Sequence, residues 1–257
     1  MSVKLNFETF GAGRPVIVLH GLFGSARNWR SIAKQLSETH QVFTIDLRNH
    51  GESDHSDSMY YMEMMEDIKQ FLHDKHLRKV SLIGHSLGGK IAMTFALNYP
   101  EMLEKLIVLD IAPVRYDNNF ELLVDAMLSL DLADISSRNQ ANDILRSRIE
   151  DGGVRLFLLQ NLFRNSDGFQ WRINLAAIKK ALPDIGAFPT FTRSSEHNGP
   201  TLFLGGDRSD YIGPEHHEDI FSFFPTAEIS TITDAEHWLH ADQPQQVLEE
   251  IGRFLGK

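Results

Sequence analysis

The chain has 257 residues, of which 42% are hydrophobic, and this length and composition suit one globular domain with a large core. Its 25 basic and 35 acidic residues give a formal net charge of −10. That balance disfavours nucleic acid as a partner, because few cations are available to replace the counterions of a polyanion. The absence of cysteine excludes disulfides, thiolate metal ligands and a cysteine nucleophile.

The first residues do not have the pattern of a secretory signal, because residues 1–13 contain no basic segment followed by an apolar one. A helix that crosses a bilayer needs about 20 consecutive apolar residues. The chain contains no apolar run of that length. We therefore predict a cytoplasmic protein that does not insert into a membrane.

Short runs of apolar and β-branched residues alternate with helical patterns along the chain. This alternation is typical of a parallel sheet covered by helices on both faces. The segment VKLNFETFG (3–11) predicts an additional antiparallel pair of strands at one edge. The main runs are PVIVLHG (15–21), QVFTIDL (41–47), KVSLIGH (79–85), KLIVLDIAP (105–113), PTLFLGG (200–206) and AEISTIT (227–233).

The rhythm of strands is interrupted between the fourth and fifth of these main runs. Residues 113–190 show helical periodicity and no strand signal, with breaks at Gly152, Gly153 and Pro183. We therefore predict an α/β core formed by residues 1–112 and 191–257, with residues 113–190 as a helical cap.

The run Gly84-His85-Ser86-Leu87-Gly88 fits the pattern G-x-S-x-G and stands between a predicted strand and a predicted helix. This is the context of a nucleophile elbow, in which a serine occupies a sharp strand-to-helix turn. The turn requires small residues two positions before and two positions after the serine, and glycines fill both. The following helix directs its N-terminal N–H groups towards the place where negative charge develops. The pattern therefore predicts Ser86 as a nucleophile.

A serine hydroxyl becomes reactive when a base accepts its proton and a third group orients that base. Of the twelve histidines, His237 is the best placed, because it follows the last predicted strand and completes the order serine, acid, histidine. Asp110 and Asp210 both follow strand ends, and Asp207 is a weaker candidate in the same loop as Asp210. The carboxyl ends of parallel strands meet at one edge of a sheet, so either aspartate could reach His237. The residues alone therefore do not decide which aspartate is the acid.

An oxyanion hole needs two backbone N–H groups that converge on one point. Leu87 supplies the first, because it follows the nucleophile. The loop HGLFG (20–24) supplies the second, and its glycines allow a close approach of the backbone. We predict the N–H of Leu22 for this role, with Phe23 as its neighbour.

The loop DLRNHGES (46–53) follows the second main run. We predict that Asp46, Arg48 and Ser53 fix this loop by hydrogen bonds, because such arginines usually tie loops to the scaffold. The alternative is that Arg48 or His50 lines the entrance of the active site.

The segments HGLFG, DLRNHGES, GHSLGGK, LDIAPV and HWLHAD occur in an order and spacing that resemble the α/β-hydrolase superfamily, and more narrowly the small bacterial YbfF-type carboxylesterases. The resemblance covers nearly the whole chain. It implies an α/β fold with a mostly parallel, eight-stranded sheet and a helical cap inserted after the sixth strand. It also implies Asp110 as the acid, from the motif D-I-[AS]-P, whereas general hydrolases place the acid where this chain has Asp210.

The same resemblance implies hydrolysis of short- to medium-chain acyl esters, without a cofactor or a metal ion, on a small-molecule ester or thioester. Ser86 argues against a haloalkane dehalogenase or an epoxide hydrolase, which need a carboxylate nucleophile. An acyl-CoA thioesterase, a carbon–carbon bond hydrolase and a slow-turnover ligand-binding sensor remain alternatives, because each can keep the same triad. The residues expected to contact the substrate are Phe23, His85, Phe120, Phe157 and Trp238.

Overall fold

The fold is described by a computed structural model over residues 2–117, 119–166, 168–191 and 195–256. A sheet of seven strands crosses the molecule in the order β1-β3-β2-β4-β5-β8-β9. All neighbouring strands of this sheet run parallel except β1, which pairs antiparallel with β3. The strands are β1 (Phe7–Phe10), β2 (Arg14–Leu19), β3 (His40–Ile45), β4 (Val80–His85), β5 (Leu103–Leu109), β8 (Thr201–Gly206) and β9 (Glu228–Ile232).

Helices cover both faces of the sheet, which explains why the central strands are apolar on both sides. In β2, Ile17 and Leu19 pack in one core cluster, whereas Val16 and Val18 pack in the other. The first cluster includes residues of α2 and α3, and the second includes residues of α1 and α10. The helices are α1 (Arg30–Leu36), α2 (Tyr61–Asp74), α3 (Leu87–Asn98), α4 (Phe120–Leu128), α5 (Arg138–Leu145), α6 (Gly152–Leu159), α7 (Leu175–Gly186), α8 (His217–Phe223), α9 (Leu239–Asp242) and α10 (Pro244–Leu255).

The sheet has seven strands, and not the eight that the resemblance implies. The N-terminal segment supplies one strand, because the residues before β1 bond to the loop after β3. The N–H of Asp46 donates to the carbonyl of Asn6 (2.9 Å), and the N–H of Asp54 donates to that of Lys4 (3.1 Å). The carbonyls of Lys4 and Asn6 are therefore already bonded to the loop after β3 and are not available to pair with another strand. The long insertion therefore follows the fifth strand, β5, and not the sixth.

The segment between β5 and β8 contains α4 to α7 and a short antiparallel hairpin, β6 (Leu162–Asn165) and β7 (Gly168–Trp171). The prediction that this segment has no strand was therefore wrong. From the sequence, the apolar run at 154–163 suggests one continuous helix. The strand β6 has only four residues, and an alternation of that length cannot be distinguished from helical periodicity. Within the described ranges, no helix is long and apolar enough to cross a membrane.

The loop after β3 is fixed by a buried arginine, as the first interpretation of DLRNHGES predicts. The Nε of Arg48 donates to Asp67 Oδ2 (2.6 Å), its Nη2 donates to Asp67 Oδ1 (2.9 Å), and its Nη1 donates to Glu63 Oε2 (3.0 Å). The side chains of Arg48 and Asp67 are 0% and 1% exposed. Asp46 accepts the N–H groups of Ala26 and Glu52, and Ser53 donates to the Asp46 carbonyl.

We predict that Arg48→Met lowers the free energy of unfolding by about 3–5 kcal/mol, because it leaves a buried carboxylate without its partner. Urea denaturation followed by circular dichroism measures this loss. The control is Arg30→Met, since the pair of Arg30 with Glu8 is exposed and should contribute less than about 1 kcal/mol. Equal losses in both variants would contradict the assignment.

Candidate active site

Ser86 stands at the turn between β4 and α3 with φ 52° and ψ −115°. This left-handed conformation is unusual for a residue with a side chain. The flanking glycines explain how the turn forms, since a Cβ atom on Gly84 would collide with the carbonyl of Gly88, and one on Gly88 would lie 2.5 Å from the carbonyl oxygen of Leu19. The N–H of Ser86 donates to the carbonyl of Leu109 (3.0 Å) and holds the turn against β5.

An imidazole and a carboxylate form a continuous line of hydrogen bonds with Ser86. His237, in the loop between β9 and α9, has its Nε2 at 3.1 Å from Ser86 Oγ and its Nδ1 at 2.8 Å from Asp110 Oδ2. The tautomer that satisfies both contacts donates from Nδ1 to the carboxylate and accepts the serine proton at Nε2. This arrangement can remove the proton of Ser86 and stabilise the resulting imidazolium.

The structure distinguishes between the aspartates that the sequence left open. Asp110 follows β5 and is buried, and it accepts the N–H of Gly206 at Oδ1 (3.1 Å) and the hydroxyl of Ser209 at Oδ2 (2.5 Å). Asp210 is exposed. Asp207 accepts the N–H of Ala235 (3.3 Å), which holds the loop that carries His237. The carboxylate that meets His237 is therefore that of Asp110.

The backbone of His237 is held by the residue that precedes the nucleophile. His85 is buried, and its Nε2–H donates to the carbonyl of His237 (2.7 Å). Burial, followed by the nearby His237 and His240, holds the pKa of His85 well below its ordinary range, so this ring is neutral. On another side, the ring of Tyr211 stacks on the ring of His237 at 4.1 Å between centroids. These contacts fix the imidazole without adding a charge beside it.

Leu22 and Leu87, whose N–H groups are the predicted oxyanion donors, line one small cavity of about 20 Å³ together with Ser86. Leu87 is the first residue of α3, where helix N–H groups have no partner inside the helix. A Cβ atom on Gly21 would lie 3.3 Å from Ser86 Cβ, so the loop at 20–24 packs directly against the serine. The N–H of Phe23 donates to His50 Nε2 (3.2 Å), whereas the N–H of Leu22 has no acceptor in the described part of the chain.

Two buried histidines, His20 and His50, connect this loop to the loop after β3, a role that the sequence analysis predicted for neither. His20 donates from Nδ1 to the carbonyl of Gly21 (2.8 Å) and accepts the N–H of Leu47 at Nε2 (3.0 Å). His50 donates from Nδ1 to the carbonyl of Arg48 (2.9 Å). Burial lowers the pKa of His20, and burial together with His20 lowers the pKa of His50 to about 3. Both rings therefore act as neutral braces.

A cavity of about 170 Å³ opens beside Ser86 and His237. All five residues expected to contact the substrate line it: Phe23, His85, Phe120, Phe157 and Trp238. Phe120 packs edge-on against Phe23 at 6.0 Å, and Phe157 packs against Trp238 at 5.0 Å between ring centroids. The insertion and the core thus both contribute walls to one mostly apolar cavity, which also contains Leu123 and Val154.

Lys90, on α3, was not singled out by the sequence analysis. It is buried, and its Nζ donates to the carbonyls of Gly186 (2.9 Å) and Ala187 (2.8 Å) at the end of α7. Burial, followed by the charge of Arg115, lowers its pKa to about 7. Lys90 therefore connects the insertion to the helix that begins at the nucleophile. The only signal in the sequence is a lysine in an otherwise apolar helix.

A metal centre was not predicted, and within residues 2–117, 119–166, 168–191 and 195–256 no group of three or more histidine, aspartate or glutamate side chains is arranged to hold a metal ion. The expectation that the protein needs no cofactor stays a prediction.

The lowered pKa of His50 predicts a specific dependence of stability on pH. Between its ordinary value of 6.5 and about 3, the unfolded chain binds a proton at this histidine that the folded chain does not bind. Its contribution to stability is therefore present above pH 6.5 and is lost as the pH falls towards 3. The difference in unfolding free energy between the wild type and His50→Gln should narrow by up to about 1.4 kcal/mol per pH unit below 6.5.

Urea denaturation between pH 5 and pH 8 measures this difference. The control is Gln35→Asn, because Gln35 is exposed and carries no titratable group, so its replacement should leave the pH dependence unchanged. If the difference between wild type and His50→Gln stays constant over this range, His50 is not a neutral buried ring.

Comparisons with known proteins agree with this fold. The family model described as the α/β hydrolase fold matches residues 14–244. A zebrafish (Danio rerio) protein named sn-1-specific diacylglycerol lipase ABHD11 is 43% identical and covers 98% of this chain and 83% of its own length. The Escherichia coli protein named esterase YbfF is 34% identical over 94% of this chain and 92% of its own.

Among solved structures, one titled as a marine microorganism esterase superposes with a TM-score of 0.96. It is 39% identical, and the match covers 98% of this chain and all of that one. This chain therefore belongs to the α/β hydrolase family, within its group of esterases and lipases.

Proposed function

We propose that this protein is a serine carboxylesterase that hydrolyses short- to medium-chain acyl esters through an acyl-enzyme intermediate. The observation that carries the proposal is the line of hydrogen bonds from Asp110 through His237 to Ser86. A nucleophile, a base and an orienting carboxylate in this order are the components of nucleophilic acyl transfer. The oxygen of Ser86 also borders an apolar cavity, where an acyl chain can replace water.

In the first stage, Ser86 Oγ attacks the ester carbonyl while Nε2 of His237 accepts its proton. Asp110 keeps Nδ1 as the donor and stabilises the imidazolium that forms. The N–H groups of Leu22 and Leu87 donate to the carbonyl oxygen as it becomes negative. His237 then returns the proton to the oxygen of the leaving alcohol, and the bond between that oxygen and the acyl carbon breaks.

In the second stage, a water molecule takes the place of the alcohol. Nε2 of His237 accepts a proton from this water as it attacks the acyl carbon. The same imidazole then protonates Ser86 Oγ, and the carboxylic acid is released. The neutrality of His85 favours both stages, because a second positive charge against His237 would oppose formation of the imidazolium.

The volume of the cavity suits short or medium acyl groups. Its volume of about 170 Å³ lies below the range of about 300–1,000 Å³ that drug-sized ligands occupy. We further propose that residues 113–190 serve as a cap, because Phe120 and Phe157 close the cavity from the insertion side. The name of the zebrafish relative makes glycerol esters a substrate class to include in any activity screen.

The alternatives keep the same three residues and differ in the bond that is broken. An acyl-CoA thioesterase or a carbon–carbon bond hydrolase would attack a different carbonyl with the same serine, and a ligand sensor would turn over very slowly. Kinetics on p-nitrophenyl esters of increasing acyl length, beside acyl-CoA substrates, distinguish these functions. An esterase should show its highest kcat/KM on an oxygen ester of short or medium length.

We predict that Ser86→Ala lowers kcat for ester hydrolysis by at least about 10⁴-fold, because the nucleophile is lost. Unchanged circular dichroism and thermal melting would show that the variant folds. A fluorophosphonate probe should label the wild type at Ser86, as read by peptide mass, and should not label the variant. Full activity in the folded variant, or labelling at another serine, would refute the proposal.

We predict that Asp110→Asn lowers kcat by about 10⁴-fold, because asparagine favours the wrong tautomer of the imidazole. Asp210→Asn is the matched control, since it makes the same change at the position that general hydrolases use. That variant should keep kcat within about twofold of the wild type, because its side chain is exposed. Equal small losses in both variants would mean that neither carboxylate orients His237.

A further inference from the structure

A second and larger cavity, of about 440 Å³, lies beside the catalytic one and is lined mainly by polar residues. It is bounded by the loops after β2 and β3, by α5 and α6, and by the end of the β6–β7 hairpin. The charged groups on its walls are three arginines, Arg27, Arg138 and Arg172, and two carboxylates, Asp46 and Glu52. We call this space the arginine cavity.

Two of the three guanidinium groups have no carboxylate partner. Arg172 forms an ion pair with Glu52. The carboxylate of Asp46 accepts hydrogen bonds from the Asn6 side chain and from the N–H groups of Ala26 and Glu52. Neither Arg27 nor Arg138 lies within ion-pair distance of a carboxylate in the described ranges, although Nε of Arg138 donates to the carbonyl of Leu162 (2.9 Å).

The positive charges also lie close enough together to affect each other. Burial, followed by the charge of Arg27, lowers the pKa of Arg172. Asp46 raises the pKa of Arg172 and Glu52 pairs with it, so the carboxylates of the cavity offset the repulsion at Arg172. The arginine cavity is thus a concave surface with two unpaired guanidinium groups.

The arginine cavity and the catalytic cavity share a wall. Phe23 lines both. Its carbonyl accepts the Nδ2–H of Asn161 (2.8 Å), a residue that lines the arginine cavity. On α6, Leu156 faces the arginine cavity while the adjacent Phe157 faces the catalytic one. The two cavities are therefore adjacent, and Phe23 borders both of them.

We propose that the arginine cavity binds a phosphate group carried on the leaving group of the substrate, so that the enzyme prefers esters or thioesters whose alcohol or thiol is phosphorylated. This inference rests on the proposed function, because it assigns a part of the substrate whose acyl carbon is attacked by Ser86. The acyl chain occupies the apolar cavity, so a charged group has to lie on the leaving-group side of the ester.

Phosphate fits the chemistry of these walls better than a carboxylate does. It carries more negative charge, and its three acceptor oxygens can bind more than one guanidinium at once. Arginine forms planar, paired hydrogen bonds with phosphate oxygens. Two guanidinium groups without a carboxylate partner match the charge of a phosphate group, which is nearly −2. A single guanidinium group would suffice for a carboxylate.

Matched substrates test the proposal in the full-length protein. Butanoylglycerol and butanoylglycerol 3-phosphate form one pair, and butanoylpantetheine and butanoyl-4′-phosphopantetheine form the other. Within each pair the acyl group is the same and the second member adds phosphate. The ratio of kcat/KM for the phosphorylated member to that for the neutral one is the measured quantity, and the pair with the higher ratio identifies the source of the phosphate.

Arg27→Gln and Arg138→Gln should each lower this ratio by about tenfold, since a hydrogen bond to a charged group is lost. The control is Arg146→Gln, an exposed arginine of the insertion that lies outside the arginine cavity. It removes the same charge and should leave the ratio unchanged. The conservative Arg27→Lys should keep part of the ratio, because it retains the charge without the paired hydrogen bonds.

Ratios that are unaffected by Arg27→Gln and Arg138→Gln in both pairs would overturn the proposal. A monobutanoyl ester that carries a carboxylate and shows the same dependence on Arg27 would overturn the assignment of phosphate. Hydrolysis of butanoylglycerol that depends on Ser86 tests the proposed function separately. A failure in the arginine variants together with normal Ser86-dependent hydrolysis would therefore reject the phosphate site alone.

Discussion

The turn that carries Ser86 is a backbone conformation that the surrounding chain has to enforce. A residue with a side chain in a left-handed conformation of this kind costs about 1–3 kcal/mol. The cost is met because Gly84 and Gly88 allow β4, α3 and the end of β2 to approach within contact distance. Phe23 and Asp110 also have positive φ values, of 63° and 49°. Among the described residues, positive φ values at non-glycine residues also occur at Asn49, His76 and Asp234, so three of the six lie in or beside the candidate active site.

In the proposed mechanism, a second constraint is that the imidazole of His237 has to gain a positive charge. The side chains that hold its surroundings are accordingly neutral rings. His20, His50 and His85 each donate from one ring nitrogen to a backbone carbonyl, and burial lowers the pKa of each. Charged braces in these positions would repel the imidazolium. Arginines are found instead in the arginine cavity and in the buried pair of Arg48 with Asp67.

In the proposed function, the apolar part of the substrate lies in the catalytic cavity and its charged part lies in the arginine cavity. The catalytic cavity has aromatic walls from both the core and the insertion, including Phe23, Phe120 and Trp238. The arginine cavity lies on the other side of Phe23 and combines the loop after β2 with α5 and α6. The same short loop therefore supplies the Leu22 N–H beside the serine and the side chain that separates the two spaces.

The sequence by itself determined the α/β alternation and the elbow at Ser86, because strand periodicity and the spacing of glycines are local properties of the chain. It also indicated His237 by its place after the last strand. The tertiary structure decided between Asp110 and Asp210, since that choice depends on which strand end faces the imidazole. The hairpin β6–β7 is local, and the sequence did not predict it because four residues of alternation are too few to distinguish from helical periodicity. The braces of His20 and His50 and the convergence of Arg27 with Arg172 were beyond local patterns. Each joins residues far apart in the chain, and only packing brings such residues together.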